Sequence, residues 1–244
     1  MKSNFDFLDN EFPVLAQFGK KAELYLYSDS NSCLMKLGMI GETVVNLMFT
    51  YDRITLPAEN TAVNRIAVLF REGLLTQDLV DILHALRKVR NKAVHENYTS
   101  VADGKVLLQM AHSLCEWFMQ TYGDWNYKNK PFILPSDLPV EASTDTGAEQ
   151  EHEKQLSKEA EEKAAASDSV AKEKRRQQAA KAASQRQKTE AETRYMIDQQ
   201  LRQVGWEADT ENLRFSKGTR PVKGRNLAIA EWPTDSTVGN HGRA

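Results

Sequence analysis

The 244-residue sequence is 41% hydrophobic and 27% charged, and its formal net charge of −2 excludes a chain drawn onto nucleic acid by overall charge alone. Two cysteines, Cys33 and Cys115, make no disulfide framework, and the opening MKSNFDFLDN lacks the apolar core of a secretory signal. No uninterrupted apolar run is long enough to span a bilayer, so the expectation is a soluble cytoplasmic protein without a membrane.

From residue 1 to about 140 the texture is globular and the periodicity helical. A first helix is predicted over 13–27, with Val14, Leu15, Phe18, Ala22 and Tyr25 on one face. A second begins at SDSNS, whose hydroxyls and carboxylates offer N-cap oxygens, and places Leu34, Leu37, Val44, Val45 and Met48 at helical spacing. Gly38 and Gly41 on that helix leave room for a close neighbour. Residues 61–72 form a third helix stopped by Gly73. Thr76 caps the longest one, which carries Leu79, Ile82, Leu83, Leu86, Val89 and Ala93. After the polar break NYTSVADG a last amphipathic helix carries Val106, Leu107, Met110, Leu114, Trp117 and Phe118, and KPFILP is extended before its proline. Four to five helices with short connections predict an all-α bundle over 1–140.

Residues 141–188 change character. VEASTDTGAEQEHEKQLSKEAEEK is acidic, KEKRRQQAAKAASQRQK is basic, and large apolar residues almost vanish. These are helix formers without an apolar stripe, which predicts a solvated, semi-rigid helical linker. The competing reading makes 172–188 a strip that contacts nucleic-acid phosphates.

Hydrophobic pattern returns over 189–244. EAETRYMIDQQLRQVGW is an amphipathic helix ended by Gly205, and LRFSK and NLAIAEWP read as short strands. One helix and two strands make a marginal core and read as the start of an incomplete α/β domain. The predicted fold class is therefore mainly α: a helical bundle, a charged helical linker and a C-terminal α/β fragment.

The stretch from Glu192 to Thr234, with Gly205-Trp206, Lys217 to Pro221 and Ala230 to Pro233 as a connected series, resembles the opening of the nuclease domain of type I restriction enzyme R subunits. Residues 1–140, with RNKAVHE at 90–96, resemble the helical domain that precedes the nuclease in such subunits. The resemblance implies a restriction-endonuclease-like domain beginning at 189 and a parent enzyme that cleaves foreign DNA with Mg2+ and ATP. It implies DNA, a methyltransferase subunit and a specificity subunit as partners. In the family, the sequence resembling Gly242-Arg243-Ala244 is followed by an Asp and then a Glu-x-Lys pair that hold the metal, so those groups are expected beyond Ala244. No Gly-x4-Gly-Lys-Ser/Thr phosphate loop occurs in this sequence. Glu192 occupies the place of an accessory nuclease acid, and reads equally as a first-turn helix carboxylate. Lys217, Arg220, Lys223 and Arg225 form a basic loop that would meet DNA phosphates in an intact enzyme. The expectation is a non-catalytic module for protein and DNA contact.

Arg90 and His95 also match the R-x4-H motif of the higher eukaryotes and prokaryotes nucleotide-binding (HEPN) superfamily, many of whose members are metal-independent ribonucleases. On that alternative, His95 moves the proton of a ribose 2′-hydroxyl, Arg90 stabilises charge on the phosphate and Asn91 orients them, in phage defence or as a toxin. Five residues of ideal helix turn through about 140°, so the two side chains diverge unless the helix ends or bends near Val94 or a dimer brings two pairs together. The structural alternative puts Arg90 on the packed face in an internal ion pair with Glu42. The histidines 84, 112, 152 and 241 have no metal-binding spacing, and no metal site is expected from the residues present.

Overall fold

The computed structural model describes residues 3–137, 147–167, 172–186 and 188–233, so the end of the chain, His241 and Gly242–Ala244 included, lies outside the described residues. The chain divides into two compact units, Met1–Gln187 and Lys188–Ala244. It is mainly helical: five helices build the first unit's bundle, α1 (Pro13–Ser28), α2 (Ser30–Tyr51), α3 (Ala62–Arg71), α4 (Gln77–Glu96) and α5 (Val101–Tyr122).

Local chemistry sets the ends of these helices. Pro13 starts α1 at a position where its missing N–H costs nothing. Asp29 accepts the Ser32 N–H at the head of α2, Thr61 the Asn64 N–H at α3, and Ser100 the Asp103 N–H at α5. The last of these caps places Val101–Gly104 inside α5, where the polar composition had suggested a break. Gly73 follows α3 with φ +71, and Asn97 ends α4 in the left-handed region with φ 48.

Helix α2 is the centre, lying against α1, α4 and α5. Leu34, Leu37, Ile40, Val44, Leu47 and Met48 are buried along it, and Trp117 and Phe118 of α5 are buried in the same core. Ser30–Tyr51 is long and apolar enough to cross a membrane by length and composition, though Lys36 and Glu42 interrupt it, and 67% of its most apolar stretch is buried inside the protein. Gly38 lets α4 approach, since a Cβ there would overlap the Arg90 Cβ. The extended segment before Pro135 lies along α1, held by the Tyr27 hydroxyl donating to the Pro135 carbonyl at 2.9 Å and by Asn4 bonding both polar groups of Ile133.

The charged segment corrects the expectation of a solvated linker. Its helices α6 (Gly147–Ala165) and α7 (Lys172–Ser184) lie on the bundle, α6 against α1 and α2 and α7 against α5. Two features dock them. Alanines take the place of large apolar residues: Ala160 and Ala164 of α6 and Ala179 and Ala182 of α7 are buried. Charges of both signs then find buried partners on the bundle. Glu153, 6% exposed, accepts both contacts from Lys36 at 2.8 and 2.9 Å and lies 3.1 Å from Lys21. Arg175, 5% exposed, donates to Asp52 at 2.7 Å and to the Tyr51 carbonyl at 2.9 Å. The phosphate-strip reading of 172–188 is reduced by the same contacts, because Arg175, Arg176 and Arg186 engage Asp52, Glu72 and Asp78.

The second unit holds α8 (Glu190–Gln203) and two short parallel strands, β1 (Glu207–Ala208) and β2 (Leu227–Ala228), paired Glu207 to Leu227 and Ala208 to Ala228. The expected strand LRFSK is instead one bridge, Arg214 to Ala230, followed by a 3-10 turn over Phe215–Lys217. Gly218, at φ 85, ends that turn and breaks the extended run. Asp198 fixes the helix to the loop after β1 by accepting the Thr210 N–H and hydroxyl, both at 2.7 Å.

Candidate functional site

A cleft with convergent polar groups lies in the first unit, between α2, α3 and α4, and encloses about 310 Å³. Helix α4 contributes Leu83, Arg87, Arg90 and Asn91, which share one face at helical spacing. Helix α2 contributes Gly38, Gly41, Glu42, Val45 and Asn46, and its glycines leave the space that forms the floor. The first turn of α3, with Thr61, Ala62 and Val63, closes the mouth, and Arg65 reaches in from the next turn. The charged lining is three guanidinium groups against the single carboxylate of Glu42.

These cations are not equivalent. Arg65 donates to Asn60 Oδ1 at 2.6 Å and to Asn46 Oδ1, which ties α3 to α2. Arg90 lies 3.3 Å from Glu42, with the two side chains 38% and 51% exposed. Their pairing is thus at the cleft rim and not in the core, which corrects the expectation of an internal bridge. The stem of Arg90 rests on the bare backbone at Gly38 while its head reaches solvent. Arg87 makes no hydrogen bond or ion pair among the described residues, and its Nε is buried without an acceptor. Helical spacing from Leu83 to Asn91 carried the signal for Arg87, which the R-x4-H pattern of Arg90, Asn91 and His95 passes over.

His95 is exposed on the last turn of α4 and is not part of the cleft lining. The helix runs on to Glu96, so the bend needed to bring His95 beside Arg90 within one protomer is absent. Arg90 and Asn91 are together; His95 is apart.

In the second unit Glu192 is the N3 residue of a capping box on α8. Its backbone N–H donates to Thr189 Oγ1 at 3.2 Å, and its carboxylate accepts the Thr189 N–H at 3.3 Å. Of the basic loop, Arg220 stacks on Phe215 at 3.9 Å and donates to the Phe215 and Thr219 carbonyls. Arg225 pairs with Glu207 across the β1–β2 ends, and that hydrogen bond holds the Glu207 carboxyl below its ordinary range. Lys217 and Lys223 are exposed and make no ion pair among the described residues. Two of the four basic residues are therefore engaged within the loop and two face outward.

Among the described residues no group of three or more His, Cys, Asp or Glu side chains is placed to hold a metal. The residues present do not fit the magnesium site that the nuclease resemblance implies, and no step is derived through one. Buried titratable groups elsewhere are structural in setting. His112 lies between the rings of Phe5, Phe7 and Phe132, and burial pulls its imidazole down to about 4. Cys33 is pushed up to about 12, first by burial and then by Asp29, so its thiol is not nucleophilic at neutral pH.

A family model for the domain of unknown function DUF4145 matches residues 20–164, more than half of the chain. The chain belongs to the DUF4145 family. That match takes in the cleft, the second half of α1, α2 to α5 and nearly all of α6, so the docking of α6 on α2 lies within the DUF4145 domain itself. Beyond the DUF4145 domain, residues 207–243 match the model of the type I restriction enzyme EcoKI endonuclease subunit second domain. The chain as a whole is 32% identical over 296 aligned positions to the type I restriction enzyme EcoKI endonuclease subunit of Escherichia coli (strain K12), a match covering all of this chain and 25% of that protein. The chain thus spans about a quarter of the length of the curated relative it matches. Its resemblance to the N-terminal part of a type I restriction R subunit, read from the residues of the second unit, holds over both units. No solved structure matches.

Proposed function

We propose that this chain acts as the N-terminal interaction module of a type I restriction R subunit. The DUF4145 bundle is the HEPN-like helical domain that docks within a complex of methyltransferase and specificity subunits. The second unit is the first layer of a restriction-endonuclease-like domain, and it meets DNA through Lys217 and Lys223. One observation carries the reading: similarity to the EcoKI endonuclease subunit extends through the bundle, the charged helices and the second unit without leaving any part of the chain unaccounted for. The residues of this chain make contacts in that reading, and the cleavage chemistry belongs to the parent enzyme.

Co-expression tests it. A tagged copy of this chain should co-elute with the methyltransferase and specificity subunits on size exclusion, and elution of the chain by itself at every concentration tried would reject the docking role. The HEPN ribonuclease remains the second reading, because Arg90 and Asn91 stand together beside a cleft. The exposed position of His95 outside that cleft weighs against it. It requires RNA cleavage that survives EDTA and is lost in His95→Ala.

A further inference from the structure

Helix α3 carries more apolar surface than the bundle covers. Of its ten residues only Ile66 and Leu69 are buried. At about 100° per residue, Leu69, Ile66, Phe70, Val63 and Ala67 follow one another across an arc of about 160°. A helix that serves its own core alone carries a stripe of roughly 100°. Here the bundle takes the half with Leu69 and Ile66. The other half is left in water, with Phe70 44% and Val63 43% exposed.

Cations flank that uncovered half and lack counter-charges. Arg71 follows Phe70 in the last turn of α3, is exposed and makes no ion pair among the described residues. Near the other end Val63 borders the cleft that Arg87 lines, and the Arg87 Nε is buried with no acceptor among the described residues. Burial, and after it the charge of Arg87, hold the Lys88 amine below its ordinary value. Glu42 in the cleft and Glu72 beside Arg71 already lie against Arg90 and Arg176. A second copy of the chain is a poor cover, because a two-fold contact over α3 sets the same cations against one another. Nucleic-acid phosphates would satisfy the arginines and leave the stripe wet. Apolar area and unmatched positive charge are both answered by a protein face with an apolar centre and a rim of carboxylates.

Taking the docking role above as given, we propose that the outward face of α3, with Val63, Ala67 and Phe70 between Arg71 and Arg87, is the surface that docks. Its partner is an apolar patch rimmed by carboxylates on the methyltransferase–specificity assembly. Phe70 is the anchor, since a ring offers much contact area for little lost freedom. The arginines set register and partner choice, as charges at the rim of an interface do.

Interferometry with the methyltransferase–specificity assembly immobilised and the full chain in solution tests the assignment. Phe70→Ala should weaken binding by roughly tenfold or more at every salt concentration. Arg71→Glu should weaken it as strongly at about 0.05 M salt and much less at about 0.5 M, because screening removes its charge contact. Lys158→Glu, on an exposed side chain of α6, should change little. If Phe70→Ala does not fold, Arg71→Glu decides by its salt dependence. Binding by the parent that survives both α3 substitutions would overturn the assignment and leave the docking role standing, whereas no binding by the parent at any concentration would end both. An equal loss in Lys158→Glu would reduce the effect to overall charge and overturn the assignment. So would self-association or DNA binding that Phe70→Ala abolishes while the assembly binds unchanged, since the face would then belong to another occupant.

Discussion

Asp52 and Arg175 meet at 2.7 Å with both residues almost fully buried, and Tyr122 donates its hydroxyl to the second Asp52 oxygen at 2.7 Å. The guanidinium also stands about equally over the Tyr51 and Tyr122 rings, at 5.9 and 5.8 Å. Removing one member strands the other in a dry site. Arg175→Ala should therefore destabilise the first unit by about 3–5 kcal/mol in urea titration, whereas the exposed pair Lys158–Glu162 should contribute less than about 1 kcal/mol. Equal losses for the two would refute this account of the docked helix. A second residue-scale prediction concerns acid. Folded His112 stays neutral down to about pH 4, while an unfolded imidazole takes up its proton near 6.5. Between those values the unfolded chain binds more protons, so the His112 contribution to stability falls as pH drops from about 6.5 to about 4. Glu116 faces His112 at 3.8 Å; burial above all pushes its carboxyl up, against the contacts from Lys130 and Tyr127. That raised carboxyl acts in the opposite sense, favouring the fold as it protonates. The comparison must therefore isolate the imidazole: His112→Phe should lose less stability than the parent between pH 7 and pH 4.5, measured by urea midpoints, and identical losses would count against the buried neutral histidine.

At the scale of elements, α6 and α7 show how helices with almost no large apolar residues can still dock. Alanines at i and i+4 on α6 and at i and i+3 on α7 bring backbone close to backbone. Trp117 then donates its indole N–H to the Ala179 carbonyl at 3.1 Å, on the α7 backbone. Ala179→Glu should release α7 from α5 and raise amide exchange across 172–184, while leaving α1 to α4 protected. Gly38 does the same service between α2 and α4. Gly38→Ala should cost about 1–3 kcal/mol, because the added methyl and the Arg90 stem claim one space. Urea titration reads the loss, and an unchanged midpoint in the variant would refute the shared space.

For the whole molecule, the two units differ in how much core they own. Helix α2 alone buries eleven side chains in the first unit, whereas in the second the buried apolar residues among those described are Tyr195 and Ala208. Ile197, Val204, Trp206 and Val222 are largely exposed there. The second unit is thus held mainly by polar contacts such as Asp198–Thr210, Arg214–Glu231 and Arg225–Glu207. The DNA contact proposed for it would be electrostatic. Replacing Lys217 and Lys223 with Ala should lower the slope of log affinity against log salt by roughly 2, whereas Arg225→Ala, already paired with Glu207, should alter it little. A slope unchanged in the double variant would remove these lysines from the interface.

The bundle was legible in the residue pattern because each of its helices carries a regular apolar face and four of them a recognisable start, at Pro13, Asp29, Thr61 and Thr76, whereas the Ser100 start of α5 was masked by its polar first turn. The likeness to restriction subunits was legible for a different reason: the run of residues that carries it, such as Gly205-Trp206 and Ala230 to Pro233, is read from the chain without regard to packing. The docking of α6 and α7 was not, since alanine counts as neutral in a hydrophobic pattern and Glu153 and Arg175 read as surface charges until their partners more than a hundred residues away are in place. The cleft was hidden likewise. Spacing puts Arg87, Arg90 and Asn91 on one face, but only the tertiary structure sets Glu42 and the start of α3 opposite them, leaves His95 outside, and leaves Arg87 without an acceptor. Periodicity reports which side of a helix is buried; what that side meets is decided by contacts distant in the chain, and those are made only on folding.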